Sequence, residues 1–186
     1  RGKPALFHIL FRIGLRKIRA CPKPANPIRK NSGAYTGAVK VTVASVAVRG
    51  RSERFDGLAA EYLNRLQAYT EAEAQIFKTS DALFEWAERL KSRTSPVLVL
   101  LDGRGKQLSS EALAKWLRRQ RDDGQQRVVF AVGPADGWAD KERAKAGLLL
   151  SLGPMTLPHE LVRVVVSEQL YRAFTILAGH PYHRAD

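Results

Sequence analysis

Short apolar runs alternate with helix-forming segments along most of this chain, and this alternation constrains the fold more than any other feature. Three of the runs lie at 97–101, 128–132 and 148–152, and they read VLVLL, VVFAV and LLLSL. Runs with almost no polar residue are typical of central parallel strands that are covered on both faces. Between them, apolar residues recur at the spacing of amphipathic helices. The pattern predicts an α/β domain, a parallel sheet with helices on both faces.

The boundaries of the predicted elements follow from helix caps, glycines and prolines. Ser80 or Asp81 is the expected cap of the second helix, and Ser109 or Ser110 that of the third, which Gly124 ends. We expect strands at 41–48, 74–78, 97–101, 128–132 and 148–152. The first, second, fourth and fifth helices are expected at 54–69, 81–90, 140–146 and 160–178.

Three consecutive strands lead into turn-forming loops at their carboxyl ends. The strand at 97–101 ends at Asp102, the next continues into GPADG at 133–137, and the last into GPMTLP at 153–158. The carboxyl ends of parallel strands meet at one edge of the sheet, and this edge is where open α/β sheets bind ligands. The sequence therefore predicts a binding site built from these three loops.

The predicted helix at 160–178 is apolar on nearly every side. A helix of this kind must be covered on nearly every side as well. Because one sheet of a small domain cannot cover it completely, we expect a second subunit. The alternative is a central helix that is buried within a single subunit.

The charge of the chain is concentrated at one end. Residues 1–38 hold nine Lys or Arg and no Asp or Glu, and prolines and glycines interrupt them. The whole chain has a net charge of +13, but the part after residue 38 has 22 cations and 18 anions, a net charge of only +4. We expect 1–38 to be a basic extension, disordered or not native, and 39–186 to be the functional domain.

Three interpretations of the basic extension stay open. Val can be encoded by an alternative bacterial start codon, so translation that begins at Val39 would leave the extension outside the native protein. An acid-free Lys/Arg segment is also suited to binding RNA phosphates through counterion release. The third interpretation is an organellar transit peptide, which is likewise rich in Arg and poor in acids. An intact mass of the native protein that includes residues before Val39 would rule out the first interpretation.

Several classes of protein are excluded. Cys21 is the single cysteine, so the chain can form no intrachain disulfide and no cysteine zinc cluster, and we expect a cytoplasmic protein. No apolar run approaches the roughly 20 residues that cross a bilayer. Walker, nucleophile-elbow and zinc-protease motifs are absent, and the four histidines lack the spacing of metal ligands. We therefore expect neither a membrane nor a metal partner.

The end of the chain carries a cluster of polar, chemically versatile residues. His180-Pro181-Tyr182-His183-Arg184 follows directly after the apolar helix and Gly179. Such a segment can bind a phosphate through Arg184, stack a base on Tyr182 and exchange a proton through a histidine. A solvated tail is the alternative.

Taken together, these motifs resemble the RlmH family. The matching segments are Leu101-Asp102, VGPADG at 132–137, LGPMTLPH at 152–159 with LVRV at 161–164, EQLYRA at 168–173, and HPYHR at 180–184. The resemblance spans essentially all of 39–184, and its last thirty residues carry the most specific motifs.

This resemblance implies an S-adenosylmethionine-dependent methyltransferase of the SPOUT class, which methylates N3 of pseudouridine 1915 in 23S ribosomal RNA. It implies that the carboxyl-terminal part of the sheet forms a trefoil knot, a rare exception among protein chains. It also implies a homodimer with its active site at the subunit interface, which agrees with the expectation from the last helix. The expected partners are thus a second copy of the chain and the 23S ribosomal RNA within the ribosome.

The resemblance also identifies the residues that would hold the cofactor. Backbone groups of such loops can hydrogen-bond an adenine edge without a dedicated side chain. The chain departs from the family at Pro134, where a second glycine is common, and proline removes one backbone donor. By motif match the cofactor residues are Leu101, Gly133, Leu152, Gly153, Pro154, Met155, Thr156 and Leu157.

The candidate catalytic residues come from the last two motifs and the start of the last helix. N3 of pseudouridine carries a proton that must be lost, so the site needs a base or a stabilising cation. We expect the arginines to stabilise charge and bind phosphate, and His183 or His159 to take the proton. For His159 the alternative is a structural role as a cap of the last helix. The candidates are His159, Arg172, Tyr182, His183 and Arg184.

A second class of function also fits the sequence. A noncatalytic RNA-binding or ribosome-associated factor would keep the same fold and lack methylation, for instance because of Pro134. Calorimetric titration with S-adenosylmethionine separates the two, since only the enzyme needs to bind it. A related enzyme that methylates another RNA base stays open as a third possibility.

Overall fold

The computed structural model describes residues 39–46, 52–90 and 92–183, and the predictions for 1–38, Val48 and Arg184 lie outside these residues. The described chain forms five strands and five helices. The strands are β1 (Lys40–Val46), β2 (Ala72–Phe77), β3 (Val97–Gln107), β4 (Arg127–Val132) and β5 (Leu148–Ser151). The helices are α1 (Glu53–Leu66), α2 (Ser80–Arg89), α3 (Ser110–Asp122), α4 (Asp140–Arg143) and α5 (His159–Leu177).

The five strands form one sheet in the order β2-β1-β4-β3-β5, and every neighbouring pair is parallel. Each connection between parallel strands must cross over a face of the sheet, which is where the helices lie. The predicted parallel α/β fold is therefore confirmed. The apolar run at 97–101 lies between β4 and β5, in the interior of the sheet as predicted.

Helices cover both faces of the sheet, which explains the unbroken apolar runs. Val99 and Phe130 point to the face that α1, α3 and α5 cover. Their neighbours Leu100 and Val129 point to the opposite face, where they pack with α2 and with Trp138. Because successive side chains of a strand alternate between faces, a strand that is covered on both faces has few positions for a polar residue.

The observed ends of helices and strands differ from the predicted ends mainly where polar residues stand at the boundary. The prediction of Ser80 or Asp81 as the cap of α2 is wrong: the Thr79 side chain accepts a hydrogen bond from the Ala82 amide at 3.2 Å, and Ser80 is already helical. Ser109 caps α3 by the same interaction with Ala112, so it is the cap among the two candidates. At the start of α2, Thr79, Ser80 and Asp81 can all accept the capping hydrogen bond, so the sequence alone does not identify the cap.

The prediction that β3 ends at Asp102 is also wrong. The strand continues to Gln107, and β5 pairs with it twice: Leu150 pairs with Leu101 and again with Lys106. Residues 102–105 leave the pairing between these two positions. They are mostly polar or glycine, so hydrophobic patterning ends before the strand does. The trefoil knot that the family resemblance implies stays a prediction.

The last helix, α5, is at least partly buried at every position even in the single chain. It packs against α1, α3 and the sheet, so burial within one subunit already explains much of its apolar character. The expected second subunit stays a prediction. No helix among the described residues is long and apolar enough to cross a membrane.

Gly105 is fixed by the close approach of β5. A Cβ atom at position 105 would lie 2.6 Å from the carbonyl carbon of Leu149 and 2.6 Å from the Leu150 nitrogen, whereas a Cβ at Gly103 would meet nothing within 4 Å. Backbone atoms that belong to a paired strand cannot move aside as a flexible side chain does. Only glycine therefore fits where residues 102–105 pass β5.

We predict that Gly105→Ala lowers the free energy of unfolding by about 1–3 kcal/mol, the usual effect of overpacking a close contact. Gly103→Ala makes the same chemical change in the same segment without a clash and is the matched control. Urea denaturation followed by circular dichroism measures both. Equal midpoints for the two variants would contradict the proposed packing of residues 102–105 against β5.

Candidate active site

At the carboxyl edge of the sheet, β3 leaves its regular pairing beside the ends of β4 and β5. Leu101 of β3 pairs with Val132 of β4 on one side and with Leu150 of β5 on the other. The unpaired segment 102–105 of β3 and the loops that start at Gly133 and Leu152 are therefore neighbours. The structure brings together the predicted cofactor residues Leu101 and Gly133 with the start of the 152–157 loop.

Trp138 joins two of these loops. Its indole Nε1 donates a hydrogen bond to the Leu101 carbonyl at 3.0 Å, and the side chain is only 2% exposed. Its ring also lies against Gly133, where a Cβ atom would be 2.7 Å from the indole Cε2. The turn from Pro134 to Gly137, closed by a 2.9 Å backbone hydrogen bond, leads the chain to this position. Trp138 thus fixes the spacing between β3 and β4 at their ends.

Asp102 anchors the start of the unpaired segment 102–105, the loop within β3. Its carboxylate accepts hydrogen bonds from the Arg104 amide at 2.8 Å and from Arg143 Nε at 2.6 Å. Burial alone raises the pKa of Asp102, but the Arg104 amide and the Arg143 guanidinium outweigh it and hold the pKa below its usual value. Arg143 also donates to Asp140 at 2.7 Å. This network ties the loop to α4 and keeps Asp102 ionised.

The loop after β5 is shaped by Ser151 and is open to solvent. The Ser151 hydroxyl accepts a hydrogen bond from the Gly153 amide at 3.2 Å and donates one to the Gly153 carbonyl at 3.1 Å. Gly153 has a φ of 132°, a conformation that side chains rarely adopt. Met155 is 79% exposed. The loop therefore presents apolar surface next to the ends of β3 and β4.

A cavity of about 240 Å³ lies beneath this loop, between α5 and the ends of β3 and β5. Its lining includes Leu152 and Gly153 and none of the other six expected cofactor residues. Gln107 and Gln169 are the amides at its wall. The cavity thus overlaps the expected cofactor site only where the last loop begins.

His159 is the first residue of α5 and lies at the same sheet edge. Its ring is close to the backbone of Val132 and Gly133, and its Nε2 is buried without a hydrogen-bond partner among the described residues. Burial, and then the positive charge of Arg163, lower the pKa of His159 below its usual value. The imidazole is therefore neutral at pH 7. It makes no side-chain cap, so the alternative role as a capping residue is not supported.

Tyr182 and Arg172 form a second cluster, around Glu168 in the later part of α5. Glu168 Oε1 accepts hydrogen bonds from Tyr182 Oη at 3.0 Å and from Arg172 Nη2 at 2.7 Å. The Arg172 guanidinium lies over the Tyr182 ring, 4.9 Å from its centroid. Burial and the Glu168 carboxylate raise the pKa of Tyr182 well above its usual value, so this phenol stays protonated. The alternative of a solvated tail is wrong for Tyr182.

His183 contacts α3 rather than α5. Its Nε2 is 2.6 Å from Glu111 Oε1, at the first turn of α3. Ser109, the backbone of Glu111 and His183 together hold the pKa of Glu111 below its usual value. The described tail therefore connects the two helices that flank the cavity.

The predicted catalytic residues thus fall into separate groups within one chain. Thirteen residues of helix separate His159 from Arg172, a distance of about 20 Å along the helix axis. His159 lies with the expected cofactor loops, whereas Arg172, Tyr182 and His183 do not. Among the described residues, no three His, Cys, Asp or Glu side chains are grouped to hold a metal ion.

Sequence reasoning missed the side chains that support these groups. Glu168 lies four residues before Arg172, so the i,i+4 spacing of opposite charges was an available signal. Trp138, in contrast, stands after a glycine turn with no periodic pattern around it. Arg143 meets Asp102 from 41 residues away, and nothing in the sequence links the two.

Comparison with known proteins agrees with this architecture. Residues 39–183 match the family model described as "Predicted SPOUT methyltransferase". Ribosomal RNA large subunit methyltransferase H of Koribacter versatilis is 52% identical over 126 residues, which cover 68% of this chain and 86% of that protein. The protein of the same name from Erythrobacter litoralis is 61% identical over 87 residues, which cover 47% of this chain and 62% of that protein.

A solved structure shares the fold. A probable methylase family protein from Haemophilus influenzae superposes with a TM-score of 0.51 over 79% of this chain and 71% of its own, at 11% sequence identity. The family match and this shared fold thus define a SPOUT methyltransferase fold. The chain belongs to the SPOUT methyltransferase family, and its relatives within it carry the name ribosomal RNA large subunit methyltransferase H.

The contact between Gly133 and Trp138 can be tested by substitution. We predict that Gly133→Ala lowers the free energy of unfolding by about 1–3 kcal/mol, because its Cβ meets a buried ring. Trp138→Leu is destabilising alone, but the double variant should be more stable than the sum of both effects implies, since the smaller side chain leaves room for the methyl group. Additive changes in a denaturation cycle would show that the two residues do not interact.

Proposed function

We propose that this protein methylates N3 of pseudouridine 1915 in 23S ribosomal RNA and uses S-adenosylmethionine as the donor. The names of the relatives point to large-subunit ribosomal RNA, and the resemblance to the RlmH family supplies the finer assignment. The observation that carries the proposal is the sheet edge itself, where the segments after Leu101, Val132 and Ser151 lie side by side near a neutral, half-buried histidine. A methyl transfer that begins with loss of a proton needs this combination.

The residues present at the edge fit the cofactor. The Trp138 ring fills the space where a Gly133 side chain would lie and so fixes the Gly133 backbone at the edge, and the last loop offers exposed apolar surface at Met155. We assign Leu101, Gly133 and residues 152–157 to binding S-adenosylmethionine. When bound, this cofactor supplies a methyl group that its sulfonium already activates. The Leu101 carbonyl already accepts a hydrogen bond from Trp138, so Trp138 sets where that strand end can contact the cofactor.

Pro134 is compatible with this assignment. It lacks the amide of the more common glycine, but its carbonyl closes the turn that leads to Trp138. The loop after β4 therefore keeps its shape through the Pro134–Gly137 hydrogen bond and the indole, without the missing amide.

Removal of the N3 proton is the step for which the chain must supply a base. Methylation of N3 would require a base of the chain to take the N3 proton, with the N3–H electrons staying on nitrogen, while the bond between the donor sulfur and the methyl group would break with its electrons on sulfur. We propose His159 as this base, because its lowered pKa keeps it neutral and its ring lies at the sheet edge beside the backbone of Val132 and Gly133. His183 is the weaker candidate, since the Glu111 carboxylate already occupies its Nε2.

Arg172 and Arg184 are proposed to stabilise the negative charge that develops on the base ring and to bind phosphate. Tyr182, protonated and stacked under Arg172, holds that guanidinium in place. Arg172 lies about 20 Å from His159 along α5 in a single chain. We therefore propose a homodimer, in which the tail of one protomer closes the loop edge of its partner.

Binding and product analysis test the proposed function. Calorimetric titration should show one S-adenosylmethionine site per chain. Ribosomal RNA from a deletion strain, analysed by mass spectrometry, should lack one methyl group at pseudouridine 1915, and the cloned gene should restore it. Ribosome binding without cofactor binding would support the noncatalytic factor instead, and a missing methyl group on another base would redirect the substrate assignment.

The pH dependence of turnover tests His159 as the base. Since the base must be neutral to accept a proton, kcat/KM should fall as the pH is lowered through the pKa of His159. Because burial lowers this pKa, the fall should be centred below the usual value of about 6.5. His159→Ala should lose about 100-fold or more in kcat and also the acidic limb of the profile. His183→Ala is the matched comparison, and retention of the limb in His159→Ala would identify a different base.

Subunit mixing tests the shared site. A His159→Ala chain and a chain with both Tyr182→Ala and His183→Ala should each be inactive as homodimers. In a mixed dimer one site combines the two intact halves, so an equal mixture should recover about a quarter of wild-type activity per chain. No recovery after verified subunit exchange would place the tail and the loops of each site in the same protomer.

A further inference from the structure

The described residues leave open which cations hold the RNA backbone. Arg172 donates two of its N–H groups to Glu168, so it is not fully available to a phosphate. Arg163 is buried and pairs with Asp56 at 2.7 Å, and Arg143 is occupied by Asp102 and Asp140. An enzyme that presents one base of a large RNA must nevertheless bind phosphates beside the site.

Helix α3 differs from the other described helices in its charge. It carries four cations and two carboxylates, a net charge of +2, whereas α1 and α2 are net negative and α4 and α5 are neutral. Lys115, Arg118 and Arg119 are exposed on its outer surface. Residues 39–186 have a net charge of +4, and the net charge of +2 on α3 is half of that value.

The carboxylates of α3 already have partners at its two ends. Glu111 contacts His183 at the first turn, and Asp122 pairs with Arg121 at 3.0 Å in the last turn. Glu111, Lys115, Arg118 and Asp122 are spaced at i, i+4, i+7 and i+11, which places them along one face. The cations between the two ends therefore form a stripe that begins beside the tail.

We infer that this stripe, Lys115, Arg118 and Arg119, is a docking surface for phosphates of the ribosomal RNA substrate. The inference rests on the proposed function, since it assumes that the tail at His183 borders the site. The stripe starts one helical turn from the Glu111–His183 contact and extends about 12 Å from Glu111 to Arg119. It holds the strand by charge, and the tail and loops then select the base.

The test uses the full chain, in which Lys115, Arg118 and Arg119 are all changed to Gln. The matched control changes three exposed cations elsewhere, Lys78, Arg89 and Lys141, to Gln, so that both variants lose the same charge. Binding to ribosomes from the deletion strain is measured over a range of KCl concentrations. Turnover, S-adenosylmethionine affinity and molecular mass in solution are measured in parallel.

We expect the α3 variant to bind ribosomes ~10-fold more weakly at moderate salt and to lose about 2–3 from the slope of log K against log[salt], as the loss of three phosphate contacts predicts. KM for the RNA should rise, whereas kcat at saturation and cofactor affinity should not change. The control variant should change far less.

Equal weakening in the two variants would overturn the inference, because it would show only a general effect of net charge. A change in molecular mass of the α3 variant alone would also overturn it and would place the stripe between two copies of the chain. If the wild-type protein binds ribosomes through the stripe but transfers no methyl group, the proposed function fails and the docking surface stands.

Discussion

The double pairing of β5 with β3 is the constraint on which the rest of the structure depends. Leu150 pairs with Leu101 and again with Lys106, so residues 102–105 must pass β5 at backbone contact distance. This path is possible because position 105 has no side chain. The same path also fixes the position of Leu101, the start of the loop after β5 and the start of α3. The candidate site is thus a consequence of how two strand ends are held together.

Most of the fold follows from the sequence because burial on both faces leaves a strong signal. The runs around Val99 and Val129 admit no polar residue, and the helices between them show clear amphipathic spacing. The second part of β3 could not be predicted, since Lys106 and Gln107 pair through backbone atoms and remain exposed. Patterning detects side-chain burial, and it does not detect hydrogen bonds of the main chain.

The candidate site was predictable to a different degree. The three loops could be placed at one edge from strand direction alone, and the family motifs identified positions such as Gly133 and His159 within them. The supporting contacts could not be predicted, because Trp138 and Arg143 reach their partners across 37 and 41 residues. The arrangement of the tail could not be predicted either. Tyr182 binds Glu168 and His183 contacts Glu111, so one five-residue motif divides between two helices.

His159 and Arg172 lie in separate groups of the single chain, so the proposed proton transfer and the proposed phosphate binding are separated as well. His159 needs a weakly solvated surrounding to stay neutral, and the apolar sheet edge provides it. A free guanidinium next to that ring would lower its pKa further and weaken it as a base, and Arg163 already contributes in that direction. Arg172 is distant from His159 in the single chain and is partly neutralised by Glu168, and in the proposed dimer a partner and a substrate would bring the two surfaces together. In a dimer that completes its site only around RNA, His159 would already be neutral and able to accept the proton. The stabilising cations would reach the site only once the acceptor nitrogen is in place.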